Sequence, residues 1–254
     1  MKNLIVPQQQ NKLRLDTVLI NLKLFNSRQK AVSKIISGAV FIDDKKIDKP
    51  GFIVKKGSYI KIIENEHEWV SRGGIKLSYA IKYFNLKVRE KICIDIGSST
   101  GGFTEVLISN GANLVYSIDV GYGQLDWKLR NNNKVKVLER TNARYLDEKK
   151  IKDKLDLLVC DVSFISLKKV IPPSLKFLNP KSSIILLIKP QFEAGRKYVG
   201  KGGIIKDKLI HNKVCNELIE WFTKNLNLNF VDLIESPIKG QKGNKEFFLY
   251  MTNN

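Results

Sequence analysis

Charged residues that could do chemistry stand where the predicted β-strands end. Three apolar runs contain or end in Asp95, Asp119 and Asp161, and a fourth ends in Lys189. Because ligands of parallel α/β sheets bind at the carboxyl ends of the strands, we expect these side chains to meet at one edge of a sheet. A lysine amine can accept a proton from a substrate hydroxyl if it is partly neutral, and carboxylates can orient it. The alternative for Lys189 is a lysine that snorkels at the sheet edge.

The loop after the first of these strands is suited to the close approach of a ligand. It reads Gly-Ser-Ser-Thr-Gly-Gly-Phe from Gly97 to Phe103, and a helical pattern follows from Gly102 to Asn110. Glycines let the backbone approach a ligand, and a helix N-terminus attracts an anionic group. The spacing Gly-x-x-x-Gly-Gly fits S-adenosylmethionine better than a dinucleotide, and Asp119 could accept the ribose hydroxyls of that cofactor. An ordinary turn between strand and helix is the alternative.

A second lysine belongs to the same predicted site. Ser71 is placed to cap a helix over about residues 73–84, and Lys76 would lie in its first turns. The helix dipole disfavours a cation there, which indicates a lysine with a specific task. Glu246 begins the last predicted strand and would lie beside the same region. We expect the two lysines, close together and partly desolvated, to lower each other's pKa.

The elements that position these residues alternate between strand and helix. Strands are predicted at residues 92–96, 115–119, 135–139, 155–161 and 183–190, with a helix over 167–178 interrupted by two prolines. A glycine-rich, mobile loop over 191–203, a helix over 206–225 and a hairpin of residues 230–234 and 246–251 complete the chain. This order predicts a doubly wound, Rossmann-like α/β sheet with an antiparallel edge.

A smaller α+β unit precedes that sheet. After a loose stretch over residues 1–11, the order is helix, helix, strand, turn, strand, with Ser27 as N-cap and Gly38 as the end of the second helix. The predicted boundaries are residues 1–63 for this unit, with its core at 13–63, residues 64–70 for a linker, and 71–254 for the larger domain.

Composition narrows the class of partner. The chain has 254 residues and a net charge of +19, from 44 basic and 25 acidic side chains, so a polyanion is the natural partner unless the lysine excess reflects compositional drift. Three isolated cysteines and two histidines make a zinc site a poor fit, and no metal is expected. The cysteines favour a reducing compartment. Neither a signal peptide nor a membrane-spanning run is predicted, and we expect a cytoplasmic protein.

The N-terminal unit resembles the S4-type RNA-binding domain, also called the αL motif. The similarity rests on Arg14-Leu15-Asp16, on residues 27–40 and on the turn at residues 56–58. Pseudouridine synthases also carry Arg-Leu-Asp at their catalytic aspartate, but here the tripeptide starts the small unit, where it has a structural role. The resemblance implies that the second helix and the loop after it face RNA, and these carry Arg28, Lys30, Lys34, Lys45 and Lys46. Arg14 is a further expected RNA contact.

Nearly the whole chain resembles the TlyA family, whose members are described both as hemolysins and as ribosomal-RNA 2′-O-ribose methyltransferases. The matching stretches are residues 69–77, 98–104, 119–125, 160–167 and 189–193. The larger domain is similar to FtsJ-type methyltransferases, whose Lys-Asp-Lys-Glu tetrad corresponds to Lys76, Asp161, Lys189 and Glu246. The resemblance implies that Lys189 accepts the proton of the ribose hydroxyl and that Lys76 positions that hydroxyl or tunes Lys189.

The same resemblance implies S-adenosylmethionine as cofactor and a ribosomal RNA or subunit as partner. The expected cofactor contacts are Asp95, Gly97, Ser99, Gly101, Gly102 and Phe103, with Asp119 at the ribose and Asn142 at the adenine. The expected phosphate contacts in the larger domain are Arg72, Arg196, Lys197 and Lys201, although the last three could simply belong to a flexible surface loop. We expect a monomer when no RNA is bound. Two other functions stay open, a membrane-active hemolysin and an RNA-binding protein without catalysis.

Overall fold

The N-terminal unit is built around a four-stranded antiparallel sheet. The computed structural model describes residues 2–63 and 68–254, so the predicted linker over 64–70 lies largely outside the described residues. The strand order is β1-β6-β3-β4, and a second pair joins β2 to β5. The elements of this unit are β1 (Lys2–Ile5), β2 (Leu13–Arg14), α1 (Leu15–Asn21), α2 (Arg28–Ile36), β3 (Val40–Ile42), β4 (Lys45–Ile47), β5 (Ile53–Val54) and β6 (Tyr59–Ile62).

The prediction that residues 1–11 are loose is wrong. Residues 2–5 form β1 and pair in antiparallel register with β6, so that Leu4 lies opposite Ile60. Val6, which follows this strand, is buried in the small core together with Leu15, Leu19 and Ile35. The partner strand lies more than fifty positions away along the chain, which is why a local pattern did not indicate this strand.

The second helix of this unit begins and ends as predicted. The Oγ atom of Ser27 accepts a hydrogen bond from the backbone N–H of Lys30 at 3.3 Å. Gly38, with a φ of +78°, adopts the left-handed conformation that commonly follows a helix. Ala31 and Ile35, which are one helical turn apart, are fully buried, so the face of α2 that carries them packs on the core.

The larger unit is a seven-stranded sheet flanked by helices. Its strands are β7 (Ile92–Ile96), β8 (Leu114–Ile118), β9 (Val135–Leu138), β10 (Leu155–Cys160), β11 (Leu178–Ile188), β12 (Asn229–Glu235) and β13 (Phe247–Thr252). Its helices are α3 (Arg72–Tyr83), α4 (Gly102–Ser109), α5 (Trp127–Arg130), α6 (Leu167–Val170), α7 (Pro172–Leu175), α8 (Pro190–Glu193) and α9 (Lys208–Leu226), with short 3₁₀ turns at Gln8–Gln10, Ala143–Tyr145, Arg196–Tyr198 and Gln241–Gly243.

The strand order of this sheet is β12-β13-β11-β10-β7-β8-β9, which confirms the predicted doubly wound α/β fold. The strands from β11 to β9 pair in parallel. β13 is antiparallel to both of its neighbours, β11 and β12. The predicted antiparallel edge is present as the hairpin of β12 and β13. Within it β13 lies between β11 and the outermost strand β12, which runs in the same direction as the parallel strands.

Two further predictions are corrected after β10. The region predicted as one interrupted helix forms two short helices, because Pro172 occupies the first turn of a new helix, α7, and β11 starts earlier than expected at Leu178. The region predicted as a loop over 191–203 starts with helix α8. The carboxylate of Glu193 in that helix accepts hydrogen bonds from the Ser166 hydroxyl at 2.6 Å and from the Leu167 N–H at 2.8 Å.

No helix in the described part of the chain combines the length and the apolar character that crossing a bilayer requires.

Candidate active site

The glycine loop between β7 and α4 forms the floor of a cleft at the carboxyl edge of the parallel strands. Gly97 and Gly101 have φ values of +86° and +96°, which L side chains rarely adopt. A Cβ atom on Gly97 would also lie 2.6 Å from the carbonyl oxygen of Asp161. A Cβ on Gly102 would overlap the hydroxyl of Ser71. The loop can therefore bring bare backbone to a ligand, and the residues present fit a bound S-adenosylmethionine.

One lysine–carboxylate pair joins α3 to the start of β13. The Lys76 ammonium lies 2.6 Å from Oε2 of Glu246. Both residues are buried, with exposed fractions of 8% and 2%. Gly240 makes this arrangement possible, because a Cβ there would overlap the Glu246 carboxylate. The predicted proximity of Lys76 and Glu246 is thus present.

A second pair joins the ends of β10 and β11. The Lys189 ammonium lies 2.6 Å from Oδ1 of Asp161. It also donates a hydrogen bond of 2.8 Å to the Ser163 hydroxyl. β10 and β11 are adjacent parallel strands with Cys160 opposite Leu186, so Lys189 follows β11 only two positions beyond the level of Asp161. The ammonium of Lys189 is therefore held at a fixed point of the cleft.

The carboxylates control the protonation of this second pair. Burial alone lowers the pKa of Lys189, but the nearby Asp161 and Glu246 carboxylates outweigh it and raise that pKa above its ordinary value. Burial raises the pKa of Asp161, yet Lys189 and Lys76 hold it below its ordinary value. The expectation that two lysines depress each other's pKa is therefore wrong for Lys189, because the carboxylates of Asp161 and Glu246 raise its pKa.

The four residues share one cleft with a volume of about 240 Å³. The mutual electrostatic effects of Glu246 on Lys189 and of Lys76 on Asp161 indicate that the two pairs lie close to each other. The cleft is lined by parts of the glycine loop, namely Gly97, Ser98, Ser99, Thr100, Gly102 and Phe103. This arrangement can hold a small cationic group against carboxylates and can position a hydroxyl against an amine.

The other predicted cofactor residues lie beside or beneath the cleft. Asp119 accepts backbone hydrogen bonds from Ser99 at 2.8 Å and from Gly121 at 2.7 Å. Asn142 accepts from the Arg144 N–H at 3.0 Å and caps a 3₁₀ turn. These two residues do not line the described cleft, although the Thr141 N–H donates to the Asp119 carbonyl and keeps the two segments adjacent.

Asp95 does not reach the cleft surface. It is fully buried in β7 and receives a hydrogen bond of 2.6 Å from the Thr104 hydroxyl, which is also 2.7 Å from the Ser117 hydroxyl. Burial raises the pKa of Asp95 to about 7. Asp95 does not line the described cleft, and its carboxyl group contacts the first turn of α4 from below. A direct contact of Asp95 with the cofactor stays a prediction.

The two arginines predicted to bind RNA in the small unit have a structural partner. Nε and Nη2 of Arg14 donate to the Asp16 carboxylate at 3.1 and 3.0 Å. Nε and Nη2 of Arg28 donate to it at 3.0 and 2.9 Å. Asp16 is 1% exposed, whereas the arginine side chains are about half or more exposed, at 50% and 63%. One buried carboxylate thus fixes two guanidinium groups at the surface.

The remaining predicted RNA contacts fall at different places. Arg72 lines the cleft. Lys30 and Lys34 line a groove between α2 and the larger unit that also contains Lys128. Three residues lie beyond β11 and outside the described lining of the cleft: Arg196, Lys197 and Lys201. Lys197 lies 5.0 Å from the Tyr198 ring centre.

Sequence reasoning missed two residues of the site. Ser163 hydrogen-bonds Lys189, and a signal for it was available, because it lies two positions after Asp161 at the same strand end. Gly240 makes room for Glu246, but nothing in the local pattern indicates this, since the clash depends on how the last hairpin folds back.

Comparison with known proteins agrees with this geometry. The FtsJ-like methyltransferase family matches residues 69–253, and the S4 domain family matches residues 13–60. A 16S/23S rRNA (cytidine-2′-O)-methyltransferase named TlyA from Mycobacterium tuberculosis is 41% identical over 94% of this chain and 89% of its own length. Hemolysin A from Brachyspira hyodysenteriae is 41% identical over 94% of this chain and 99% of its own length.

A solved structure of a Streptococcus thermophilus protein named as a hemolysin superposes with a TM-score of 0.73 and 38% identity, over 96% of this chain and 90% of that one. The match therefore spans both units. The protein is an enzyme that uses S-adenosylmethionine, and its chain belongs to the TlyA family of FtsJ-like methyltransferases with an N-terminal S4 domain.

Proposed function

We propose that this enzyme methylates a ribose 2′-hydroxyl of ribosomal RNA, with Lys76, Asp161, Lys189 and Glu246 around the reacting hydroxyl. The single observation that carries this proposal is the pair of lysine–carboxylate contacts, Lys76 with Glu246 and Lys189 with Asp161, each at 2.6 Å in one cleft beside the glycine loop. The 2′-O-methyltransferase activity of the Mycobacterium tuberculosis relative supports the choice of reaction and substrate.

S-adenosylmethionine supplies a methyl group already activated by a sulfonium. The protein therefore has two tasks, to align the hydroxyl with that methyl and to take the hydroxyl proton. The backbone of Gly97 and Gly102 would lie against the methionine end, while Asp119 and Asn142 would serve the ribose and the adenine. Asp161, which lines the cleft and lies against Gly97, would face the positive sulfonium.

Lys189 is the proton acceptor in this proposal. The raised pKa of Lys189 means that it is cationic while Asp161 pairs with it, so it must first release a proton to solvent. A positive charge close to Asp161 weakens the hold of that carboxylate on the ammonium and lowers the pKa of Lys189. The free amine would then accept the ribose hydroxyl proton as the oxygen bonds to the methyl, and the methyl–sulfur bond would break to leave a neutral thioether. Lys76, fixed by Glu246, would orient the hydroxyl.

The N-terminal unit would hold the RNA. Arg14 and Arg28 each use one edge of the guanidinium on Asp16, and the rest of each group stays exposed for phosphate. With a net charge of +19, affinity for RNA should fall steeply as salt rises. Arg196, Lys197 and Lys201 are further candidates for phosphate contacts on the same grounds.

The experiment is transfer of a labelled methyl group to ribosomal subunits from a strain that lacks this gene, followed by mapping of 2′-O-methyl positions. We expect one or a few ribose positions to be labelled. The Lys189→Ala variant should lose transfer and retain the affinity for S-adenosylmethionine, measured by calorimetry. Label on a base, or no label on either subunit, would contradict the proposed reaction, and a variant that stays active would contradict the role of Lys189.

A further inference from the structure

The N-terminal unit forms part of the wall of the catalytic cleft. Ile36 and Ser37, at the end of α2, and Lys46, on β4, line the same cleft as Lys76 and Lys189. Lys46 is thus a basic residue of the small unit that faces the chemistry of the large one. A ligand bound in the cleft would therefore be in reach of Lys46.

The backbone leaves room for the Lys46 side chain beside the end of α2. Gly38 follows α2 with a left-handed φ of +78°, and a Cβ on it would overlap the end of the Lys46 side chain. The lysine therefore crosses directly over the last turn of α2, where the exposed carbonyl ends of a helix favour a cation. Burial, followed by the charge of Arg72, lowers the pKa of Lys46, with Asp48 acting in the opposite direction. Lys46 as a whole residue remains exposed, and its ammonium is within electrostatic reach of a second cation.

Two further basic residues line the cleft next to Lys46. Arg72, the first residue of α3, donates from Nη2 to the carbonyl oxygen of Lys239 at 3.0 Å, and Lys239 also lines the cleft. Over residues 2–63 and 68–254, no carboxylate forms an ion pair with Lys46, Arg72 or Lys239. By contrast, the two lysines deeper in the cleft each have one. Three cations from three separate segments are therefore left for an anionic group from outside.

We propose that Lys46, Arg72 and Lys239 form a binding site for a phosphate group of the RNA, the phosphodiester adjacent to the ribose that is methylated. The proposal rests on the proposed function, since it takes the reacting hydroxyl to lie at Lys189. It assigns to the S4 domain a contact with the target nucleotide itself, in addition to any contact with distant RNA. The S4 domain and the catalytic domain would then hold one nucleotide between them.

The carboxylate of the cofactor's methionine has the same anionic chemistry and could reach a cationic site in this cleft. The phosphodiester is favoured because Lys46 comes from the unit that resembles RNA-binding domains and lies at the side of the cleft formed by that unit. The two sources are separated by measuring the affinities for RNA and for S-adenosylmethionine independently.

The test compares Lys46→Ala with Lys45→Ala in the full chain. Lys45 is the neighbouring residue of β4 and is exposed, as Lys46 is, but it does not line the described cleft. The two variants therefore lose the same charge from the same strand. We expect Lys46→Ala to raise the KM for ribosomal subunits about 10-fold and to reduce the slope of log affinity against log salt by about one. Lys46→Arg should restore most of the affinity, because a guanidinium also binds phosphate.

Three results would overturn this assignment. One is a change in KM for Lys46→Ala no larger than for Lys45→Ala. Another is an unchanged salt slope, which indicates a structural effect and no lost phosphate contact. The third is a weaker affinity for S-adenosylmethionine with an unchanged KM for subunits, which identifies the anion as the cofactor's carboxylate. If the wild-type enzyme transfers no methyl group to RNA, the proposed function fails, and filter binding of the same subunits to the same variants still tests the phosphate site.

Discussion

Gly240 and Glu246 are in direct contact, and a side chain on the glycine would occupy the position of the carboxylate that holds Lys76. Gly240→Ala should therefore displace Glu246 and release Lys76 from its place. We expect kcat to fall about 100-fold, the loss typical of a misplaced catalytic group, with little change in the affinity for S-adenosylmethionine. Single-turnover methyl transfer and calorimetry measure the two quantities.

Gly243→Ala is the control, since it lies in the same loop. Gly243 has a φ of +86° and open space around an added Cβ. An alanine there costs about 1–2 kcal/mol of stability from its left-handed backbone and leaves Glu246 undisturbed. A drop in activity of equal size in both variants would show that the loop as a whole, and not the Gly240–Glu246 contact, matters.

Asp95 should make the stability of the enzyme depend on pH. Burial raises its pKa from 3.8 to about 7, so between these values the unfolded chain has released a proton that the folded chain keeps. The free energy of unfolding then falls as pH rises across this window, by about 1.4 kcal/mol per pH unit at most, and the loss is complete above the folded pKa. Asp95→Asn removes this titration.

Thermal unfolding of the wild type and of Asp95→Asn at pH 5 and pH 8 tests this prediction. The difference in melting temperature should shift in favour of the variant at the higher pH. Asp44→Asn, at an exposed turn, is the matched control and should show no such shift. Parallel pH profiles for the wild type and Asp95→Asn would mean that Asp95 is already ionised in the folded protein.

Asp16 should stabilise the S4 domain through its two arginines. Burial raises the pKa of Asp16, but Arg14 and Arg28 outweigh it and hold the pKa below the ordinary value, so this stabilisation is present at neutral pH and lost as pH falls through the lowered pKa. Asp16→Asn should cost about 1–3 kcal/mol, less than a fully buried pair because the arginines are half exposed.

Hydrogen exchange followed by mass spectrometry localises this effect. Peptides from residues 13–47 should exchange faster in Asp16→Asn, while those from 92–118 stay unchanged. Asp48→Asn, on the exposed surface of the same unit, should leave both regions as they are. Equal protection in the two variants would mean that the carboxylate contributes nothing beyond its charge.

The sequence could predict the meeting of Asp161, Lys189 and the glycine loop because parallel strands end at one edge, so that position along the strand determines neighbourhood in space. It could not predict β1 or the insertion of β13, because strand pairing between distant segments leaves no local pattern. The raised pKa of Lys189 depends on a 2.6 Å contact with Asp161, and the position of Lys46 in the cleft depends on how the two units pack. Residue types alone predict neither the contact distance nor the packing of the units.

The protonation of Lys189 should control the rate of the chemical step. Because Asp161 and Glu246 raise its pKa, only a small fraction of Lys189 is neutral near pH 7, and log kcat should rise with pH at a slope of about one over the neutral range. Asp161→Asn removes the stronger of these two carboxylate effects. Burial then lowers the pKa of Lys189 against the effect of Glu246 alone. The rate profile of this variant should therefore move to lower pH, even though its maximal rate falls with the lost alignment.

Single-turnover rates across pH 6–9 measure this shift without interference from product release. Ser163→Ala is the control, since it removes the 2.8 Å hydrogen bond to Lys189 without removing a charge, and it should lower the rate and leave the midpoint unchanged. Lys189→Arg should be inactive, because a guanidinium does not deprotonate in this range, and should still bind S-adenosylmethionine. An active Lys189→Arg enzyme, or an unmoved rate profile in Asp161→Asn, would require a different proton acceptor. Among the described residues the cleft contains three other lysines, Lys46, Lys76 and Lys239, and Lys76 is the candidate because it belongs to the buried pairs.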